Sequence, residues 1–145
     1  MRFENMNLSS EIIEAIRERE YEEATLIQER IVPIALQGKD IVGQSPTGTG
    51  KTAAFALPII QNMNGEKGVQ VLVLAPTREL ALQIADEMKK LGKNSKVKVI
   101  TVYGGQPIQI QLRGLKDANI VVGTPGRILD HLRRGSLKLD KSCCR

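Results

Sequence analysis

Strands and helices that alternate along most of the chain predict an α/β fold, a doubly wound parallel sheet flanked by helices. Three observations carry that expectation. Short apolar runs at residues 40–44, 69–75, 97–103 and 120–122 are each followed by a helical pattern. One of them, Val69-Gln70-Val71-Leu72-Val73-Leu74-Ala75, is apolar almost throughout, as a strand buried on both faces of a parallel sheet must be. The first run leads into Ser45-Pro46-Thr47-Gly48-Thr49-Gly50-Lys51-Thr52, a glycine-rich turn that opens directly into a helix.

The elements follow in order. Leu8-Ser9-Ser10-Glu11 supplies a hydroxyl cap, and an amphipathic helix runs on to about residue 20. Thr25 and Gln28 have the spacing of a capping box, which starts a second helix ending near Gln37 with Gly38 as its stop; Ile27, Ile31, Ile34 and Ala35 form its expected buried stripe. Residues 51–63 are apolar enough to be buried on most sides, and Pro33 and Pro58 each remove a backbone donor from their helices. Residues 77–93 place Leu80, Ile84, Met88 and Leu91 on one stripe, with lysines gathered at the C-terminal end. Helices at residues 108–117 and 126–135 bracket the last short strand.

The loop at residues 45–52 is suited to polyphosphate. Gly48 and Gly50 allow positive φ, so backbone N–H groups turn inward while the next helix aims its N-terminal donors at the same point. Thr47 and Thr49 add small polar side chains, Lys51 a point charge for the β- and γ-phosphates, and Thr52 a hydroxyl for Mg²⁺. Ser45 stands where this motif usually begins with glycine.

In a doubly wound sheet, ligands bind at the carboxyl ends of the strands. There lie, besides the phosphate loop, Pro76-Thr77-Arg78, Gly104-Gly105 and Thr124-Pro125-Gly126-Arg127. Exposed N–H groups, hydroxyls and guanidinium groups repeated along one edge would form a track for successive phosphates. Taken singly, Thr77 and Thr124 would be helix caps and Arg78 and Arg127 surface residues.

With 145 residues, 41% hydrophobic and 26% charged, the chain has the size and composition of one globular domain. No apolar run reaches the length of a membrane span and the first residues lack the apolar block of a signal peptide, so a cytoplasmic location is expected. Cys143 and Cys144 fall in an expected unstructured tail, residues 141–145. The net charge of +5 is uneven, at −3 over residues 1–85 and +8 over residues 86–145, which suits a polyanion contacted by the later segments or simply a solvated basic surface. Four aromatic residues, Phe3, Tyr21, Phe55 and Tyr103, are few for a protein that stacks bases, so a nucleic acid would be held by its backbone with little sequence preference.

Phosphate loop, Pro-Thr-Arg-Glu-Leu-Ala, Gly-Gly and Thr-Pro-Gly-Arg, in this order and spacing, resemble the first half of a DEAD-box ATP-dependent RNA helicase from Phe3 to about Asp140. The resemblance implies a RecA-like fold of the P-loop NTPase class, incomplete at the C-terminus. Residues 1–39 would be N-terminal helices carrying the adenine-reading motif, and residues 40–140 part of the ATP-binding domain. That motif has the form Gly-aromatic-charged-charged-Pro-alcohol-hydrophobic-Ile-Gln with a lone aromatic upstream. Here it reads Glu20-Tyr21-Glu22-Glu23-Ala24-Thr25-Leu26-Ile27-Gln28, with Phe3 at the family's upstream distance; Glu20 replaces glycine and Ala24 proline. By resemblance, Gln28 reads adenine, Phe3 and Tyr21 pack near it, and Lys51 and Thr52 serve catalysis with ATP and Mg²⁺. Pro76, Thr77, Arg78, Gly104, Gly105, Thr124, Pro125, Gly126 and Arg127 would contact RNA.

The family's Asp-Glu-Ala-Asp motif and second RecA-like domain are not in these 145 residues. The chain is therefore expected to be a fragment that binds ATP and RNA weakly, lacks turnover and exposes a sheet edge open to self-association. Two alternatives stay open: a DNA helicase of the same superfamily, and a non-catalytic nucleotide- or RNA-binding fragment.

Overall fold

The computed structural model describes residues 1–139; the expected tail with Cys143 and Cys144 lies outside the described residues. The chain divides into two compact units. The first comprises Met1–Met63 with Lys90–Lys96, and the second Asn64–Lys89 with the chain from Val97 onward.

The first unit is helical. After a 3-10 turn at Phe3–Asn5, α1 (Ser10–Glu18) starts where the Ser9 hydroxyl accepts from the Ile12 N–H at 3.4 Å, and it buries Ile12, Ala15 and Ile16. In α2 (Leu26–Leu36) the Thr25 and Gln28 side chains form the expected capping box. Its buried positions are Gln28 and Val32, and Ile34, assigned to the buried stripe from sequence, is 42% exposed. Once Gln28 and Val32 face inward, Ile34 falls about 200° round the helix from Val32. Packed against α2 is α3 (Lys51–Asn62), which buries Ala53, Ala54, Ala56, Leu57, Pro58 and Ile60. Gln61 on α3 accepts from the Ser9 N–H at 2.9 Å, and Lys93 pairs with Glu18.

Residues 40–44, expected as the first strand, join no ladder among the described residues. Strand formation requires a hydrogen-bonded neighbour, and this segment lies instead against α2. A Cβ on Gly43 would collide with the Ile31 side chain, while Val42 is fully exposed.

The second unit holds a parallel sheet of β1 (Val71–Leu74), β2 (Val99–Val102) and β3 (Ile120–Gly123) in the order β1-β3-β2. Its register aligns Leu74 with Gly123 and Gly123 with Val102, so the carboxyl ends of all three strands are level. β3 is buried along its whole length between its neighbours. β1, expected to be buried on both faces, is an edge strand among the described residues, and Leu74 is 55% exposed. Around the sheet come α4 (Arg78–Leu91), α5 (Ile108–Leu115) and α6 (Pro125–Arg134), the last stopped by Gly135 at φ +71°. α4 buries Ala81, Ile84, Ala85, Met88 and Leu91, whereas Leu80, expected on that stripe, is 38% exposed.

Val69, Val102, Leu115, Ala118, Val121, Ile128 and Leu137 form the core of this unit. Glycine is required at the end of β3, because a Cβ on Gly123 would come within 2.6 Å of the Val102 carbonyl oxygen and of Ile128 on α6. No described helix is long and apolar enough to cross a membrane.

Candidate functional site

In the first unit, the loop before α3 has the backbone its glycines imply. Gly48 and Gly50 take φ +76° and +81°, and Gly50 is the left-handed N-cap of α3. No side chain caps that helix and its first turn has no acidic residue. The uncapped N–H groups and the positive dipole end are thus available to an anion. Lys51 Nζ donates to the Ser45 carbonyl at 2.7 Å, folding the ammonium group back across the loop, and Thr49 Oγ1 donates to the Pro46 carbonyl at 2.7 Å. The hydroxyls of Ser45 and Thr49 are themselves paired, a link that a glycine at position 45 could not make. Thr47 and Gly48 are exposed at the tip, and Thr52 is half-buried in the first turn of α3.

Gln28 connects this loop to α2. Its Oε1 accepts from the Thr25 N–H at 2.9 Å and its Nε2 donates to the Gly50 carbonyl at 3.1 Å. Both ends of the amide are used and the residue is 3% exposed; one amide hydrogen and one lone pair make no further hydrogen bond among the described residues. Gly50 has no room for a side chain here: a Cβ would fall inside contact distance of Gln28 Nε2.

Phe3 is 2% exposed and lies under Tyr21, with ring centroids 6.5 Å apart and planes inclined by 25°. Tyr21 is half-buried and Arg19 sits 5.6 Å from its ring centre, so the accessible ring of the pair belongs to Tyr21 and Phe3 backs it. Glu20 adopts φ +56°, the left-handed conformation natural to glycine. The Ala24 N–H donates to the Met1 carbonyl at 2.9 Å, a bond that proline could not make.

In the second unit the turns after the three parallel strands leave one edge of the sheet. After β1, Pro76, Thr77 and Arg78 are exposed; the Thr77 hydroxyl accepts from the Leu80 N–H at 3.2 Å and so caps α4. Arg78 lies 4.8 Å from the centre of the Tyr103 ring, at the end of β2, a cation–π contact. Gly104 and Gly105 follow, Gly105 at φ +88°. After β3, Thr124 is the N-cap of α6 and Pro125 opens the helix, yet the Thr124 hydroxyl makes no capping bond. It is not spent on the ordinary structural role of such a residue. Gly126 is exposed, and a Cβ there would meet nothing within 4 Å.

Arg127 is tied to the Gly-Gly turn. Its Nη1 donates to the Gln106 carbonyl at 3.1 Å and to Gln111 Oε1 at 3.2 Å. Gln111 Nε2 donates to the Tyr103 carbonyl at 2.9 Å and to Gln106 Oε1 at 2.8 Å. Behind Gln111 lies His131, fully buried, with Nε2 2.7 Å from Gln111 Oε1 and Nδ1 2.7 Å from Ser136 Oγ. Burial first, then the neighbouring Arg127 charge, hold the His131 pKa below the usual histidine value. The sequence reading missed Tyr103, Gln106, Gln111 and His131. One signal was available, the placement of His131 four residues after Arg127 on one face of α6.

The structure thus gathers Phe3, Tyr21, Gln28 and the loop residues in the first unit, and the three remaining motifs at one sheet edge in the second.

Comparison with known proteins places these features in a family. A family model described as DEAD/DEAH box helicase matches residues 25–143. The chain is 49% identical over 140 residues to the DEAD-box ATP-dependent RNA helicase CshA of Bacillus subtilis, covering 95% of this chain and 28% of that protein. It is equally similar, at 49% over 140 residues, to a probable ATP-dependent RNA helicase of Methanocaldococcus jannaschii, covering 96% of this chain and 38% of the relative. Among solved structures, a DEAD box protein from the hyperthermophile Methanococcus jannaschii superposes with a TM-score of 0.94 at 48% identity, covering 98% of this chain and 39% of that one. Saccharomyces cerevisiae Dbp5 bound to RNA and ADP BeF3 superposes with a TM-score of 0.86 at 31% identity, covering 97% and 36%. The chain therefore spans about a third of the length of the proteins it matches.

Proposed function

We propose, for a chain that belongs to the DEAD/DEAH box helicase family, that it is the nucleotide-gripping and partly RNA-contacting portion of an ATP-dependent RNA helicase. The observation that carries the nucleotide half is the start of α3, where uncapped helix donors, two left-handed glycines and the Lys51 ammonium group meet. When ATP binds, Lys51 exchanges the Ser45 carbonyl for β- and γ-phosphate oxygens, and backbone N–H groups of Thr47, Gly48, Thr49, Gly50 and Lys51 surround the phosphates. The spare amide hydrogen and lone pair of Gln28 suit the paired acceptor and donor on adenine, with Tyr21 as the neighbouring ring and Phe3 behind it.

The chemistry at Thr52 fits Mg²⁺ carried by the nucleotide. Among the described residues no three His, Cys, Asp or Glu side chains cluster to hold a metal by themselves, and Thr52 offers one hydroxyl. A bound Mg²⁺ would neutralise phosphate charge there.

The turns formed by Pro76, Thr77, Arg78, Gly104, Gly105, Thr124, Pro125, Gly126 and Arg127 contact the RNA backbone through N–H groups, the Thr124 hydroxyl and the two guanidinium groups. The names of the relatives and the RNA-bound Dbp5 structure support this half. As a 145-residue polypeptide, without the Asp-Glu-Ala-Asp motif and the second RecA-like domain, the chain holds ATP and does not turn it over. The reading also carries a cytoplasmic location, and self-association through the β1 edge at exposed Leu74.

Titration with a fluorescent ATP analogue tests the central part. Lys51→Ala should weaken binding by about tenfold or more, the magnitude of a lost charge-assisted contact. Affinity equal to the wild type would remove the loop from nucleotide binding. RNA-stimulated hydrolysis by the 145-residue chain would overturn the claim that it lacks turnover, and stronger competition by DNA than by RNA would favour a DNA-directed enzyme.

A further inference from the structure

The buried polar groups of the second unit do more than fill space. Gln111 is 1% exposed and His131 fully buried, and burying polar side chains in a domain core is unfavourable unless each group is satisfied. Each is, and the satisfaction has a direction. The Tyr103 carbonyl can only accept, so the Gln111 group facing it is the NH₂; Arg127 can only donate, so the group facing Arg127 is Oε1. The amide orientation is therefore fixed without reference to His131. Since His131 Nε2 lies 2.7 Å from that same Oε1, Nε2 must carry a hydrogen. In the neutral ring Nδ1 is then a lone pair, and the one Ser136 hydroxyl hydrogen is shared between Nδ1, at 2.7 Å, and the more distant His131 carbonyl, at 3.2 Å, with the shorter contact to Nδ1.

We infer that Ser136, His131 and Gln111 form a positioning relay in which a neutral, Nε2-protonated His131 locks the Gln111 amide, and Gln111 in turn sets both Arg127 and the Gly104-Gly105 turn. The consequence lies at the surface. Arg127 is held through Nη1 alone, and its other guanidinium donors make no hydrogen bond among the described residues. One side of the planar fork is fastened and the other is left for an oxyanion, which is how an arginine is preorganised for phosphate. Through the Tyr103 carbonyl the same amide holds the turn whose ring carries Arg78. The relay rests on the proposed RNA contact of Arg127, and it names three residues that touch no RNA themselves.

The test uses the chain's single histidine. Long-range ¹H–¹⁵N correlation at neutral pH should show His131 as the Nε2–H tautomer. The Nδ1–H tautomer, or a ring exchanging between the two, would overturn the relay, and this readout needs no variant to fold. The second arm measures binding of a fluorescein-labelled oligouridine to the 145-residue chain by anisotropy. Gln111→Met should weaken binding by about tenfold, comparable to one lost charge-assisted contact, and should add little to the loss caused by Arg127→Ala. If Arg127→Ala weakens binding and a folded Gln111→Met does not, the positioning role is wrong while the RNA contact stands. If Arg127→Ala binds like the wild type, the RNA reading of Arg127 fails and the positioning role fails with it.

Discussion

Replacing Gly50 by alanine tests the junction between α2 and the phosphate loop. Two terms add at this position. With φ +81° the backbone is left-handed, which costs an alanine about 1–2 kcal/mol. The new Cβ would also fall inside contact distance of Gln28 Nε2, with Gln28 Cδ at 3.2 Å and Thr25 Oγ1 at 3.4 Å, so the Gln28 amide must leave the Gly50 carbonyl. A lost hydrogen bond of this kind costs about 1 kcal/mol, bringing the total to about 2–3 kcal/mol. Gly48 supplies the control: its φ is +76° but a Cβ there meets nothing within 4 Å, so Gly48→Ala should cost the backbone term alone. Equilibrium urea unfolding of both variants measures the difference, expected at about 1 kcal/mol. In a Gln28→Ala background the obstruction is gone and the two glycine substitutions should cost the same. Equal costs with Gln28 present would refute the claim that Gln28 braces the loop through Gly50.

Two further outcomes follow from local geometry. Glu20 sits at φ +56° and its side chain is exposed, so Glu20→Gly should raise stability by up to about 1 kcal/mol in the same urea assay; a loss of stability would contradict the strained backbone assigned there. His131 has a folded-state pKa below its ordinary 6.5, lowered by burial and then by Arg127, with Arg134 acting in the same direction and Asp130 against it. The unfolded chain therefore takes up the proton first as pH falls. Stability from this group is complete above about 6.5 and declines as pH drops from there through the lower folded value, a slope that should vanish in His131→Gln.

Local signals carried most of the helices. Ser9 and the Thr25 and Gln28 pair act on their own neighbours, and the structure has α1 and α2 beginning on them. Gly48 and Gly50 take the positive φ that their place in the loop demanded. Features that depend on partners distant in sequence were harder to read. Residues 40–44 have strand-like composition but find no ladder, and β1 looks like a central strand until β3 is known as its one neighbour, both among the described residues. Ile34 and Leu80 fit the helical spacing of a buried stripe, whereas the inward face of α2 is centred on Val32 and that of α4 runs through Ala81, Ile84, Ala85, Met88 and Leu91.

The candidate site divides in the same way. Lys51, Gln28, Arg78 and Arg127 were legible from short motifs. The contacts that hold two of them, Tyr103 beneath Arg78 and Gln111 against Arg127, join residues more than fifteen positions apart. Nothing in the moderate helical pattern of residues 108–117 marks Gln111 as the point where the end of β2 and α6 meet. The resemblance brings both Phe3 and Tyr21 to adenine, and only their stacking in space shows that Phe3 is buried beneath a half-buried Tyr21.

The central claim is that loop 45–52 and Gln28 together hold an adenine nucleotide. Competitive titration of ATP and GTP against the wild type and Gln28→Ala tests it most directly. The account predicts that ATP binds the wild type more tightly by about tenfold, one charge-free hydrogen-bonded pair's worth of discrimination, and that Gln28→Ala erases the difference. Equal affinity of the wild-type chain for the two purines would contradict it.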